Sequence, residues 1–390
     1  MFLDNLPQEL FADICTRLPI KSIVHVGCVC KSFHAIIKNP NFITEHINRS
    51  VADDKKTQLL LLRYHSNPDN KERFSIRYDD EIFDECMTFD NSYKVWPVHY
   101  YKIVGSCNGL ICLCDYLSVT SVLILWNPAL RKSFNLPMPP TEFSLHDFVV
   151  GFGFNSSTND FKVVRIGNVC NSGNTQTSRV SPEVEVYELS TGLWRGSSAV
   201  VPPYEMIPRH CSHVFVKGAS HWIAFEKGKE QNRYLILSFD MGSEVFGEMV
   251  LPASVANGPK LKMSISLFGE SLSLFCYDGD LSGTSERCCI WVMQEYGVVE
   301  SWIKLFTVDL AQEINKVLGF RRTGEVLVEM GDGELVSYDP ESKEEVHVED
   351  FWFQDSSHLD TYMESLVLLD GKDQVSLNRA YCWNKLLKEE

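Results

Sequence analysis

Residues 105–109 of this 390-residue chain have a spacing that could serve nucleophilic chemistry. They read Gly-Ser-Cys-Asn-Gly. This resembles a nucleophile elbow, in which a reactive side chain sits on a sharp turn between a strand and a helix. The next residues, Leu-Ile-Cys-Leu at 110–113, have the pattern of a strand instead of a helix. We therefore predict a hairpin turn here, with a buried cysteine beside it.

Other cysteines and histidines give little support for metal or redox chemistry. The string His210-Cys211-Ser212-His213 holds three side chains that can ligate zinc, but no second cluster follows at the spacing of a zinc site. The pairs Cys28-x-Cys30 and Cys288-Cys289 lack the C-x-x-C form of redox and zinc sites. No glycine-rich phosphate loop precedes a predicted helix. The sequence thus predicts no catalytic residue, no metal and no cofactor.

The composition argues against a membrane-spanning or secreted protein. At 44% hydrophobic and 12% aromatic residues, the chain can bury one large core plus a small one. No run of eighteen uncharged apolar residues suggests a membrane span. Asp4 and Glu9 lie where a signal peptide would have basic and apolar regions. Thirteen cysteines then indicate free thiols in a reducing compartment, and we expect a cytoplasmic and/or nuclear location.

The charge is spread unevenly along the chain. Residues 1–50 have a net charge of +1, so residues 51–390 carry −17 to give the total of −16. Nucleic-acid binding needs a basic footprint, and this acidity argues against it. An acidic field can steer a basic protein partner, or it can serve only to keep the chain soluble. The sequence leaves both interpretations open.

The first fifty residues have the periodicity of short helices. Leu6, Leu10, Ile14 and Leu18 recur every four residues and share one face of a helix. Pro19 is expected to end that helix, because proline disfavours helical geometry in the residue before it. The remaining apolar positions predict a second helix from about Lys21 to Val29, a third that carries Phe33, Ile36 and Ile37, and one more short stripe of Phe42, Ile43 and Ile47.

A module of three short helices buries little core and is marginal alone. Its spare apolar side chains would need a partner. From periodicity alone, that partner is either the rest of this chain, with the helices as an N-terminal cap, or another protein.

After residue 55 the pattern changes to short β-rich runs separated by turn residues. Hairpins begin at 123–126, 184–187, 235–239, 290–293 and 335–338, and apolar strands precede them at 109–113, 162–166, 221–225, 272–276 and 325–329. Four strands in every fifty or so residues predict the blades of a β-propeller. A two-sheet β-sandwich array is the alternative. The runs 58–63 and 74–76 and the terminal run 365–369 are left over, and we predict that they pair to close a sixth blade.

The helical segment resembles the plant F-box. The likeness covers residues 3 to about 48 and includes Leu-Pro-x-x-Leu from Leu6, Arg-Leu-Pro-x-Lys-Ser from Arg17 and Cys-Val-Cys-Lys-Ser-Phe from Cys28. It departs at His25, where the family usually has Arg, and at Gly27, where it often has Lys. In the family this module binds the Skp-type adaptor of a cullin ubiquitin ligase. The resemblance assigns adaptor binding to Leu6, Pro7, Leu10, Ile14, Leu18, Pro19, Ser22, Ile23, Val29 and Phe33.

The β-rich segment resembles the F-box-associated, kelch-type domain of plant F-box proteins. The likeness covers most of residues 100–350 and includes Leu-Trp-Asn-Pro-Ala-Leu-Arg from Leu125 and Asn-Asp-Phe-Lys-Val-Val-Arg from Asn159. S-locus F-box proteins of pollen and F-box/kelch-repeat proteins, some of them regulators of plant immune receptors, share these features. We predict a mainly β chain with a three-helix F-box at 1–48, a linker at 49–57, a propeller of about six kelch-like blades at 58–370 and a tail at 371–390.

The two resemblances together imply the substrate-recognition subunit of an SCF-type (Skp-cullin-F-box) ubiquitin-protein ligase. Its partners would be the Skp-type adaptor, the cullin and a protein substrate, and it would have no catalytic residue. A propeller enzyme, such as a kelch-type oxidase or hydrolase, and a non-ligase scaffold are the alternatives. Substrate specificity is expected in the loops at 168–182, 204–210 and 228–233.

Overall fold

The chain begins with four short helices and continues as a β-stranded body. The computed structural model describes residues 7–52, 59–66, 71–90, 101–115, 122–141, 143–169, 182–206, 212–228, 232–258, 262–278, 285–350 and 357–367. The N-terminal helices, which we call the helical module, are α1 (Gln8–Cys15), α2 (Ile20–Gly27), α3 (Lys31–Ile37) and α4 (Pro40–Ala52).

Helix α1 is shorter than the sequence pattern predicted, and the module has four helices where three were expected. The chain tightens after Cys15, where the amides of Arg17 and Leu18 bond to carbonyls three residues back. Leu18 therefore lies outside the helix, and Pro19 precedes α2 instead of ending α1. The last apolar stripe forms α4, which continues through residues 49–52 of the predicted linker.

The strands lie in antiparallel sheets. In chain order they are β1 (Leu59–Ser66), β2 (Lys71–Tyr78), β3 (Glu85–Asp90), β4 (Tyr101–Cys107), β5 (Leu110–Asp115), β6 (Leu123–Asn127), β7 (Lys132–Asn135), β8 (Phe143–Asn155), β9 (Asp160–Val169), β10 (Glu183–Glu188), β11 (Leu193–Gly196), β12 (Glu205–Met206), β13 (His213–Val216), β14 (Ala219–Glu226), β15 (Asn232–Asp240), β16 (Phe246–Val250), β17 (Asn257–Gly258), β18 (Met263–Phe268), β19 (Ser271–Tyr277), β20 (Ser285–Met293), β21 (Trp302–Phe320), β22 (Val326–Met330), β23 (Glu334–Tyr338), β24 (Glu345–Asp350) and β25 (His358–Tyr362). A short helix, α5 (Ala253–Ala256), precedes β17.

These strands form six blades. Three sheets have four strands each, in the orders β25-β1-β2-β3, β4-β5-β6-β7 and β8-β9-β10-β11. The fourth contains β13 to β16 with the short β12 and β17. A seven-stranded sheet supplies the last two blades, because the 19-residue β21 pairs with β20 along its first part and with β22 along its last part.

The blades close into a ring, as the sequence predicted. The innermost strands are β25, β4, β8, β13, β18 and the last part of β21, and each contacts the next around the ring. The β21–β25 contact closes the circle. The protein is therefore mainly β, with helices at the N-terminus and a six-bladed β-propeller after them.

The closing strand differs from the predicted one. Strand β25 pairs with β1, so that Leu61 lies opposite Asp360. The apolar run 365–369 was expected to do this, and that prediction is wrong for the part that the structure describes, since residues 365–367 follow the closing strand. Two polar contacts hold β25 in the ring. The Asp360 carboxylate accepts a hydrogen bond from the Ser106 amide at 2.8 Å, and the Ser357 hydroxyl donates to Glu329.

Two tryptophans join neighbouring blades. Trp194 on β11 donates its indole N–H to the carbonyl of Pro137 after β7, at 2.8 Å. Trp302 on β21 donates in the same way to Val250 at the end of β16, at 3.2 Å. Both residues thus join the outer strand of one blade to that of the blade before it. Among the described helices, none is long and apolar enough to cross a membrane.

Candidate functional site

The helical module has its own apolar core, centred on two stacked rings. Phe11 of α1 and Phe33 of α3 lie with ring centroids 4.0 Å apart and nearly parallel planes. The same core contains Cys15, Ile20, Ile23, Val24, Ile37 and Phe42. Ile23 and Phe33 were both predicted to bind the adaptor. Their burial, with exposures of 0% and 8%, means that they hold the helices together, so any effect on a partner would be indirect.

Three other predicted adaptor residues are exposed apolar side chains on the helical module. Leu10 and Ile14 are 54% and 49% exposed on one side of α1, because Phe11 and Cys15 face the core. Val29, in the turn between α2 and α3, is 68% exposed. We call Leu10, Ile14 and Val29 the apolar module surface. Leu10 and Ile14 are one helical turn apart, and exposed apolar side chains that adjoin in this way are candidates for contact with a partner protein.

The remaining predicted site residues have varied environments. Pro7 and Pro19 are exposed, while Leu18 and Ser22 are half-buried. Leu6 lies outside the described residues. Adaptor binding by these residues stays a prediction.

An ionic contact ties α1 to α4. The Asp13 carboxylate contacts Arg17 at 2.9 Å and Arg49 at 3.2 Å. The hydrogen bond from Arg17 is the largest influence on this carboxylate and lowers the pKa of Asp13. These groups are solvent-exposed, so we assign the contact a role in orientation and little stabilising energy.

The helical module packs directly on the propeller. Its core includes Leu130 from the turn between β6 and β7, and Leu366 from beyond β25. On α4, Ile47 is buried in a second core that belongs to the propeller. The Asn159 amide, in the turn between β8 and β9, donates to the Thr44 hydroxyl at 2.9 Å. The module is therefore continuous with the propeller through apolar and polar contacts.

These contacts define two faces of the propeller. Because strands within a blade are antiparallel, turns joining the first to the second strand and the third to the fourth lie at one end. The helical module contacts this end, which we call the turn face, through Leu130 and Asn159. The opposite end, the loop face, carries the connections between second and third strands and between blades.

The predicted specificity segments start and end at the loop face. Glu183, Glu205 and Glu226 are exposed on strands that border these segments, so acidic side chains lie beside them. Glu230 and the central parts of the segments lie outside the described residues, namely 170–181, 207–211 and 229–231.

The motif at 105–109 is a hairpin turn, as predicted. It joins β4 to β5, and Asn108 and Gly109 both have positive φ, at 47° and 81°. This left-handed pair makes a tight two-residue turn. Burial raises the pKa of the Cys107 thiol above its usual value, which disfavours the reactive thiolate. A strand follows where an elbow would need a helix.

The other chemical candidates are structural where the structure describes them. His213 lies on the inner strand β13, where its Nδ1 is 2.9 Å from the Val104 carbonyl oxygen and its Nε2 is 2.8 Å from the Ser220 hydroxyl. Burial lowers the pKa of His213 to about 3. His210 and Cys211 lie outside the described residues. The Cys30 sulfur accepts the Phe33 amide at the start of α3, and no cluster of three metal-ligating residues occurs among the residues that the structure describes.

Comparisons with known proteins match both parts of the chain. A family profile described as "F-box associated beta propeller domain" matches residues 70–367, and one described as "F-box domain" matches residues 3–45. The Arabidopsis thaliana "F-box/kelch-repeat protein At3g23880" is 28% identical over 78% of this chain and 79% of its own length. "F-box protein At3g07870" is 28% identical, covering 87% of this chain and 86% of that protein. "F-box protein CPR1" is 27% identical, covering 87% and 83%. Both are also from Arabidopsis thaliana.

Proposed function

We propose that this chain, which belongs to the F-box proteins with an F-box-associated β-propeller domain, is the substrate-recognition subunit of an SCF-type ubiquitin-protein ligase. The F-box would bind the Skp-type adaptor of the cullin complex, and the propeller would bind the protein to be ubiquitinated. The observation that carries this proposal is the apolar module surface on a module that the family profile matches.

The proposed mechanism is positioning. A substrate held on the propeller stays close to the ubiquitin-conjugating enzyme, which raises the effective concentration of its lysines there. This role needs no catalytic residue in the chain. We propose that the protein performs this role in the cytoplasm and/or nucleus.

The arrangement of the two faces supports this mechanism. The F-box lies against the turn face, so the loop face stays free of it. We infer that the substrate binds at the loop face and that the part of its surface facing the exposed Glu183 and Glu205 is basic. Glu226 contributes less, because it lies 3.8 Å from the guanidinium of Arg233. Such complementary charge would speed encounter more than it would set the final affinity.

Two surface variants test adaptor binding. Leu10→Asp and Val29→Asp place a charge on side chains that are 54% and 68% exposed, so the fold should persist. A charge that must be desolvated in an apolar interface should weaken binding by roughly 30-fold or more. The measurement is co-purification of the adaptor and cullin from plant extract, followed by titration with purified adaptor.

Val200→Asp is the matched control, because Val200 lies in the propeller and is 85% exposed. It should bind the adaptor like the unchanged protein. If both F-box variants also bind undiminished, the apolar module surface is not the docking site. If the unchanged protein brings down neither adaptor nor cullin, the chain is a scaffold or a propeller enzyme instead.

A further inference from the structure

The F-box core is completed by a segment from the other end of the chain. Leu366 is fully buried in that core, together with Phe11, Ile20 and Ile23. Leu130, from the propeller, occupies the same core and is 8% exposed. Without these two side chains, the core of a module this small would be open on one side.

The propeller sets the path of this segment, residues 363–367, which we call the C-terminal latch. The fully buried Asn127 donates its side-chain amide to the carbonyls of Ser365 at 2.9 Å and Val367 at 2.8 Å. The same side chain accepts the Leu130 amide at 3.2 Å. One asparagine therefore holds both propeller-borne parts of the F-box core in place.

A glycine makes room for the latch. A Cβ at Gly109 would lie 2.9 Å from the Met363 carbonyl oxygen and closer still to the Ser365 side chain. Gly109 also has a φ of 81°, which side chains rarely adopt. The last residue of β25, the strand that closes the ring, is anchored nearby, since the Tyr362 hydroxyl accepts a hydrogen bond from the Ala129 amide at 3.2 Å.

The latch directly follows β25, so its position depends on the pairing of β25 with β1. From this geometry we infer that propeller closure controls the F-box: the α1–α3 core becomes fully ordered only when the closed ring delivers Leu366. The consequence of this coupling for adaptor binding rests on the function proposed above. A chain with an open ring would then present no stable adaptor site, and only a closed receptor would enter the ligase.

The same contacts fix the distance between the two proposed sites. A flexible linker would let the F-box sample many orientations relative to the loop face. Here the latch, Leu130 and α4 hold the F-box in one orientation against the turn face.

Hydrogen exchange on the full-length protein tests this coupling. Leu366→Ala removes most of the latch side chain from the F-box core. Amides of α1–α3 should then exchange roughly 100-fold faster, as expected for a buried leucine cut back to alanine. Asn127→Asp places a carboxylate against the two latch carbonyls. It should accelerate hydrogen exchange of the same α1–α3 amides, although the substitution lies in the propeller and leaves the F-box sequence unchanged. Amides of β14 and β15 should be unchanged in both variants.

Leu274→Ala is the matched control, because Leu274 is also fully buried but lies in the core around β19. It should leave α1–α3 exchange as in the unchanged protein. Equal α1–α3 exchange in the unchanged, Leu366→Ala and Asn127→Asp proteins would overturn the inference. The exchange measurement needs no adaptor, so it tests the coupling even if adaptor binding fails; in an adaptor-binding protein, Leu366→Ala should also lower the affinity.

Discussion

Acid should destabilise the propeller through a buried histidine between two blades. His221 on β14 is fully buried, with its Nδ1 3.2 Å from the Val214 carbonyl oxygen and its Nε2 2.8 Å from the Tyr296 hydroxyl. The neutral ring satisfies both contacts when Nδ1–H donates and Nε2 accepts. A protonated ring carries a hydrogen on each nitrogen, so Nε2 can no longer accept from Tyr296.

Burial is the main reason why the pKa of His221 falls to about 4 from an ordinary value near 6.5. Between these values the unfolded chain binds more protons than the folded one, so stability falls as the pH drops. At pH 5 the protonation of the unfolded state costs about 2 kcal/mol of folding free energy. The folding free energy is therefore undiminished above pH 6.5, and the loss due to His221 grows as the pH falls towards 4.

The assay is urea unfolding at pH 7.5 and pH 5.0, monitored by tryptophan fluorescence. His221→Gln removes the titrating group and should cost about 1–3 kcal/mol at pH 7.5, because Val214 and Tyr296 lose ideal partners. Its loss of stability between the two pH values should be about 2 kcal/mol smaller than that of the unchanged protein. Contributions from titrating groups that do not interact with His221 cancel in this comparison. Equal losses in the two proteins would refute the reasoning.

Two further predictions concern the F-box and the partner. Gly27 ends α2 where a Cβ would overlap the Cδ1 atom of the fully buried Ile37. Gly27→Lys, the residue common in the family, should therefore destabilise the F-box by about 1 kcal/mol net in a thermal melt, because displacing Cδ1 in a packed core costs more than the gain in helix propensity. An unchanged or raised melting temperature would contradict this. Raising the salt concentration should slow association with an identified substrate, because exposed charges are screened beyond about 10 Å at 0.1 M. A salt-independent association rate would mean that the acidity serves only solubility.

The blades could be predicted from sequence because each hairpin has a local signal. Runs of β-branched and aromatic residues alternate with turn residues, and the turn chemistry is visible, as in Asn108-Gly109. The spacing of these units then indicates repetition around an axis. The core side of α1 was harder to predict, because Phe11 and Cys15 compete with the equally regular Leu10 and Ile14 for the buried face. Only the packing of α1 on α3 decides which pair is inside.

The closing strand was misplaced for a physical reason that also explains the latch. The strand at His358–Tyr362 reads His-Leu-Asp-Thr-Tyr and has little apolar pattern, because an inner strand also makes polar contacts with the next inner strand, such as Asp360 with Ser106 on β4. The apolar residues Leu366 and Val367 looked like the better strand. They are apolar because they are buried between two modules, and a linear pattern does not distinguish burial in a sheet from burial at such a junction. When another strand already closes the ring, an apolar run that follows it is therefore better predicted to pack at a junction between domains than to form a strand.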